Sequence, residues 1–165
     1  MSAPPPGVKP DQPLSRLPTI RTGGAADWFG HPSTQAELVE MLHWAESEGL
    51  AVGLVGSGSN LLVADDGFHG LAIKLGGDLA TIDADGQRIL CGGGARLPSA
   101  AAKAAGVDVS GLEFGINIPG TAGGAVRMNA NAYGGQLARV LDWVEVSTAD
   151  GTERRAPEQL ADRSA

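Results

Sequence analysis

Two glycine-rich loops, about sixty residues apart, constrain this chain more than any other feature. The first reads Val55-Gly56-Ser57-Gly58-Ser59-Asn60-Leu61-Leu62. The second reads Ile118-Pro119-Gly120-Thr121-Ala122-Gly123-Gly124-Ala125-Val126-Arg127-Met128-Asn129-Ala130. Each follows apolar sequence and gathers small residues around bare backbone amides. Such a backbone can come close to phosphate oxygens and donate N–H groups to them. Two of them in one short chain point to a long, diphosphate-containing cofactor gripped at more than one point. A Walker A loop needs Lys followed by Ser or Thr, and neither loop has that pair. A dinucleotide fingerprint needs a third glycine, but Leu61 stands where it belongs after Gly56-Ser57-Gly58. Cys91-Gly92-Gly93-Gly94 does not fit that fingerprint either and reads as a tight turn.

With 165 residues the chain has room for one ordinary domain or two small lobes. Glycine, at 25 residues, is about twice as frequent as usual and clusters in loops rather than in a repeat. Twelve basic against nineteen acidic residues give a net charge of −7, and the basic residues are scattered. That pattern does not resemble a nucleic-acid surface. It leaves phosphate binding open, because backbone amides can hold an anion without Lys or Arg. The single cysteine, Cys91, cannot form an internal disulfide, and Met1 to Pro13 lacks the apolar segment of a signal peptide. Both point to a reducing cytoplasm. No run approaches a membrane span, and one cysteine with three separated histidines argues against a zinc site.

Residues 1–15, with five prolines from Pro4 to Pro13, read as a disordered tail. Ala25 to Gly30 reads as a strand. Ser33 sits where an N-cap belongs, Leu38, Met41, Leu42 and Ala45 recur at helical spacing, and Gly49 ends the helix, so 34–48 is expected to be amphipathic. Leu50 to Val55 reads as a strand leading into the first loop. Asp65-Asp66-Gly67 is a turn signature. Leu79 to Ala84 and Arg88 to Cys91 read as a hairpin. Pro98 opens a helix that stops at Gly106. A helix is expected near Thr121 to Asn129 and a strand from Val140 to Thr148, followed by an Asp150-Gly151 turn. A βαβ start followed by hairpins with inserted helices implies an α+β chain. Its expected division is a first lobe over 16–76, a second over 77–160, and a terminal piece over 161–165.

The second loop lies in a longer run, Gly111-Leu112-Glu113-Phe114 … Ile118-Pro119-Gly120-Thr121-Ala122-Gly123-Gly124-Ala125 … Met128-Asn129-Ala130 … Ala132-Tyr133-Gly134. This run resembles the signature of UDP-N-acetylenolpyruvoylglucosamine reductases, the flavoenzymes of peptidoglycan synthesis. The first loop and Thr19-Ile20-Arg21-Thr22-Gly23-Gly24-Ala25 resemble the same family, in the same order. The resemblance implies the two-lobed FAD-binding fold shared with vanillyl-alcohol oxidase. It also implies FAD held by Gly56, Ser57, Gly58, Ser59, Asn60, Leu61, Ile118, Pro119, Gly120, Thr121, Gly123, Gly124, Ala125, Asn129 and Tyr133. The implied reaction passes hydride from NADPH through FAD to the enolpyruvyl group of a UDP-sugar.

The family carries a further C-terminal domain with a proton-donating serine and a glutamate. This chain ends at Ala165 without them, so it is expected to be the FAD-binding portion, doubtful as a catalyst by itself. Arg163-Ser164 is a candidate remnant of a family Tyr-Arg-x-Ser motif, though Arg163 fits an exposed terminal residue better. Asn117 and Asn131 stand where glycine is frequent, and asparagine tolerates positive φ best among the other residues. Two alternatives stay open: a non-catalytic flavin-binding module that works with a separate substrate domain, and another flavin oxidoreductase of the same fold. His31, His43 and His69 fit loop or exposed positions better than acid–base roles. Trp28, Trp44 and Trp143 fit packing, Arg127 a phosphate contact or a solvated helix position, and Cys91 a small apolar core residue.

Overall fold

The computed structural model describes residues 2–163, with side chains of 161–163 left aside. The first half is built on a four-stranded sheet. Strands β1 (Val8–Pro13), β2 (Ala25–Gly30), β3 (Ala51–Leu54) and β4 (Phe68–Ile73) lie in the order β1-β2-β4-β3. β1 runs antiparallel to β2, while β2 and β3 each pair parallel with β4. β4 is buried on both sides and reads Leu71-Ala72-Ile73 without polar alternation, as a central parallel strand does.

Helix α1 (Gln35–Ser47) covers one face of this sheet. Its N-cap is Thr34, one residue after the expected Ser33. Thr34 Oγ1 accepts from the Glu37 amide at 3.3 Å, and Glu37 reaches back to accept from the Ser33 amide at 2.7 Å. This is a capping box displaced by one residue. At the other end the Leu50 amide bonds the Ala45 carbonyl and the Gly49 amide bonds the Glu46 carbonyl. Gly49 takes the left-handed conformation this closure requires, with φ +66°. Leu38, Met41, Trp44 and Ala45 pack from α1 onto Leu71 and Ile73. Trp28 and Trp44 meet edge to face, with ring centroids 5.3 Å apart. On the opposite face, Leu14, Ala26, Val55 and Ala72 form a second core flanked by Leu17, Leu61 and Val63.

The second half holds the expected hairpin, β5 (Ile82–Asp85) with β6 (Arg88–Cys91), then α2 (Leu97–Ala105) and α3 (Ala122–Met128). Two more hairpins follow, β7 (Asn131–Ala132) with β8 (Gly135–Gln136) and β9 (Val144–Thr148) with β10 (Gly151–Arg155). Leu97, Phe114, Ala125 and Leu137 make its core. Trp143 is half-buried beneath the Arg154 guanidinium, 3.8 Å from the ring centroid. Thus the mixed α/β character read from the sequence is what the chain adopts.

Two expectations are corrected. Residues 1–15 do not form a disordered tail, because Val8–Pro13 pairs with β2 and Leu14 is buried to 2% exposure. Prolines are compatible with this because β1 is an edge strand, where a missing N–H costs no ladder bond on the open side. Cys91 is exposed on β6 rather than buried in a core, and partial desolvation pushes its thiol pKa up. No helix among the described residues is long and apolar enough to cross a membrane.

The docking of the N-terminal segment has a measurable energy. Leu14→Ala should destabilise the chain by about 2–4 kcal/mol through lost burial and a residual cavity. A lower urea midpoint at constant m-value would record it; an unchanged midpoint would mean that this segment is not packed.

Candidate functional site

The first glycine loop leaves the sheet at the end of β3, where the Val55 amide donates to the Ile73 carbonyl at 2.8 Å. It then runs beneath the N-terminal segment. Gly58 is buried, has φ +75°, and lies so near the Leu17 carbonyl that any Cβ would overlap that oxygen. At the same junction the Thr19 amide donates to the Gly58 carbonyl at 3.1 Å. Further along, the Gly24 amide bonds the Ala64 carbonyl at 2.9 Å, and a Cβ on Gly23 would strike Val63. The Thr19–Ala25 motif is therefore the backing of the first loop. Among the described residues, no protein acceptor takes the amide hydrogens of Gly56, Ser57, Gly58, Ser59 or Asn60.

The second loop is held by the second half of the chain. The Leu97 amide bonds the Gly120 carbonyl at 3.0 Å and the Ala122 amide bonds the Ala95 carbonyl at 2.8 Å, around the Arg96–Thr121 bridge. Thr121 caps α3, accepting from the Gly124 amide at 3.3 Å. The Gly123 amide donates to the Gly93 carbonyl at 2.8 Å, and a Cβ on Gly123 would sit 3.0 Å from that oxygen. The first turn of α3 thus has its amides consumed within the protein. Its contribution at the site is shape, whereas the first loop contributes donors. The Gly92–Gly94 turn is the residue set that sequence reasoning passed over. It is a turn as read, but it also carries α3, a role visible only once Gly93 and Gly123 are placed side by side.

The two loops meet. Ser59 Oγ donates to the Pro119 carbonyl at 2.6 Å, and Ser57 Oγ donates to Ser59 Oγ at 3.1 Å. Gly56 faces Thr121 so closely that a Cβ there would lie 2.8 Å from Thr121 Oγ1, too near without a shift. Gly56, Ser57, Ser59, Pro119 and Thr121 are therefore brought together from segments sixty residues apart.

The other expected site residues lie apart from this meeting point of the loops, several of them with scaffold contacts. Leu61 flanks the second core, while Ala125 is buried in the third and Ile118 packs against it. Asn129 ends α3 with φ +45°, and its side chain accepts from the Ala138 amide at 3.1 Å. Tyr133 stands 85% exposed at the tip of the β7–β8 hairpin, with φ +52°. Asn117 and Asn131 do not adopt positive φ, so asparagine's tolerance is not called upon. Arg127 is exposed in the last turn of α3. His31 and His43 are exposed, and so is His69, 3.3 Å from Asp27. The side chain of Arg163 lies outside the described residues. A cavity of about 830 Å³ between α1 and the β9–β10 hairpin shares no residue with either glycine loop. Arg154 there is already paired with Glu145 at 3.1 Å, so the loops remain the better candidate.

A site with unpaired amides on one wall and tightly placed backbone on the other fits a diphosphate attached to a flat group. No acidic residue occurs in either loop to oppose it. Comparison with known proteins agrees. The family model described as "FAD binding domain" matches residues 27–156. UDP-N-acetylenolpyruvoylglucosamine reductase 2 of Symbiobacterium thermophilum is 40% identical over 154 residues, covering 93% of this chain and 50% of that protein. The reductase of Rubrobacter xylanophilus is 40% identical over 155 residues, covering 94% of this chain and 52% of that protein. The crystal structure of UDP-N-acetylenolpyruvylglucosamine reductase (MurB) from Thermus caldophilus aligns with a TM-score of 0.78 at 33% identity. That alignment covers 92% of this chain and 53% of the other. The chain spans about half the length of the curated relatives it matches. With its two loops, their backing and this match over most of its length, the chain belongs to the FAD binding domain family.

Proposed function

We propose that this chain holds FAD as the flavin-binding portion of a UDP-N-acetylenolpyruvoylglucosamine reductase. The observation that carries this reading is the row of unpaired amides from Gly56 to Asn60, set against the Ile118–Thr121 wall. In this reading the amides of the first loop neutralise the diphosphate by dipoles rather than by charged side chains. Pro119, Gly120 and Thr121 line the adjoining flat group. Residues 16–76 and 77–160 act as the two lobes on either side. Bound flavin would supply hydride chemistry that no side chain provides. The co-substrate is NADPH, the acceptor is the enolpyruvyl ether of UDP-N-acetylglucosamine, and the product is UDP-N-acetylmuramate, made in the cytoplasm. The relatives are named for that reductase activity. Tyr133, shortly after the second loop in sequence and 85% exposed, is the aromatic residue we assign to meet the ligand from outside.

Reconstitution tests the reading. The purified chain mixed with FAD and desalted should keep the visible absorbance of a bound flavin; complete loss on desalting, with no saturable binding by titration, would contradict it. Backbone geometry then sets a graded mutant series. Gly58→Val should lower FAD affinity at least about 100-fold, because its Cβ would displace the Leu17 carbonyl at a positive-φ position. Gly106→Ala, outside both loops, should change it less than about threefold, since a Cβ there makes only ordinary contacts at 3.5 Å. Equal effects at the two positions would show that loop geometry does not govern binding. With flavin bound, NADPH should bleach its absorbance. Reoxidation by the UDP-sugar under anaerobic conditions would show that this chain alone completes the reaction. Bleaching without reoxidation would assign it the flavin-holding part only.

A further inference from the structure

Carbonyl oxygens only accept hydrogen bonds, so the proton between Ser59 and Pro119 must come from Ser59. A serine hydroxyl has one proton. Having given it to Pro119 at 2.6 Å, Ser59 can only accept from Ser57, 3.1 Å away. Ser57 in turn has given its own proton to Ser59. The relay therefore runs in one direction, from Ser57 to Ser59 to Pro119. Among the described residues it is the one hydrogen bond path joining the two glycine loops. The Gly56–Thr121 contact is steric and limits only how near the loops come.

We propose that Ser59 is a positioning residue that clasps the two loops, with Ser57 fixing its orientation, and that neither hydroxyl donates to the ligand's diphosphate while the clasp is closed. The proposal rests on the FAD reading. It divides the labour of the first loop: backbone amides take the phosphate oxygens, and side-chain hydroxyls set the separation between the diphosphate wall and the wall along the flat ring. Phosphate oxygens are acceptors, so a serine whose proton is already committed has nothing to offer them. A ligand that spans both walls depends on the clasp, whereas a ligand that touches only the first loop does not.

FAD spans both walls; ADP carries the diphosphate without the flavin ring. The unaltered chain, Ser59→Ala, Ser59→Thr and Ser57→Ala are titrated with each ligand. Ser59→Ala should weaken FAD about tenfold, the loss of one net hydrogen bond, while ADP stays within about twofold. Ser59→Thr keeps a hydroxyl and should restore most of the FAD affinity, and Ser57→Ala should show a smaller loss than Ser59→Ala. Hydrogen exchange on the ligand-free chain gives a readout independent of FAD: the Leu97 and Ala122 amides, which hold the second loop through the Gly120 and Ala95 carbonyls, should exchange faster in Ser59→Ala. Equal weakening of FAD and ADP would make Ser59 a direct diphosphate ligand and overturn the proposal. Unchanged FAD affinity and unchanged exchange would show that the clasp does nothing. If the unaltered chain takes up no FAD the functional reading fails, and the exchange measurement still decides whether the clasp exists.

Discussion

The close passage of Gly58 against the carbonyl of Leu17 is the constraint on which the site depends. Two backbones meet there at a separation that leaves no room for a side chain, and the Thr19 amide closes the junction onto Gly58. This pins the middle of the first loop while β3 pins its start, and among the described residues no protein acceptor takes the amides between. The arrangement requires Leu17 to be fixed in turn. Leu17 is fixed because β1 pairs with β2 and Leu14 is buried beneath the sheet. A segment rich in proline, which looks like a loose end, thereby becomes a structural requirement of the site.

An acidic chain holding an acidic ligand is a matter of distance rather than of net charge. The −7 charge is spread over a surface where salt screens beyond roughly 8 Å. Neither loop contains Asp or Glu, and the first contains no charged residue at all. In the proposed reading, what a diphosphate would meet there is a short run of peptide dipoles without a competing carboxylate. The second loop works differently: the amides of Ala122, Gly123 and Gly124 are bonded to Ala95, Gly93 and Thr121, which makes it a rigid wall.

Local structure was largely legible in the residues. The spacing of Leu38, Met41 and Ala45 with Gly49 beyond them defines α1, because helix period and C-terminal closure are local properties. Thr34 rather than Ser33 took the cap because Glu37 could then reach back across the turn, a choice between neighbours that both suit the role. The two loops were legible as a pair, and so were the order of their flanking motifs and the family they belong to. The partners of the glycines were not legible. That Gly58 meets Leu17, Gly56 meets Thr121 and Gly123 meets Gly93 follows from long-range packing, which composition and spacing do not encode. The β1 strand was missed because proline content outweighs alternation in a sequence reading, although an edge strand accepts both. Nor was it legible that Asn129 ties Ala138 and that Ala125 fills a core, since both partners are set by packing.

The central claim is that the amides of Gly56 to Asn60 hold the diphosphate of FAD. Backbone amide shifts of isotope-labelled chain followed by NMR during FAD titration test it most directly. The account predicts saturable shifts concentrated at Gly56, Ser57, Gly58, Ser59 and Asn60, reproduced at the same residues by ADP. Saturable FAD binding with these five amides unmoved, and the shifts gathered elsewhere, would contradict it.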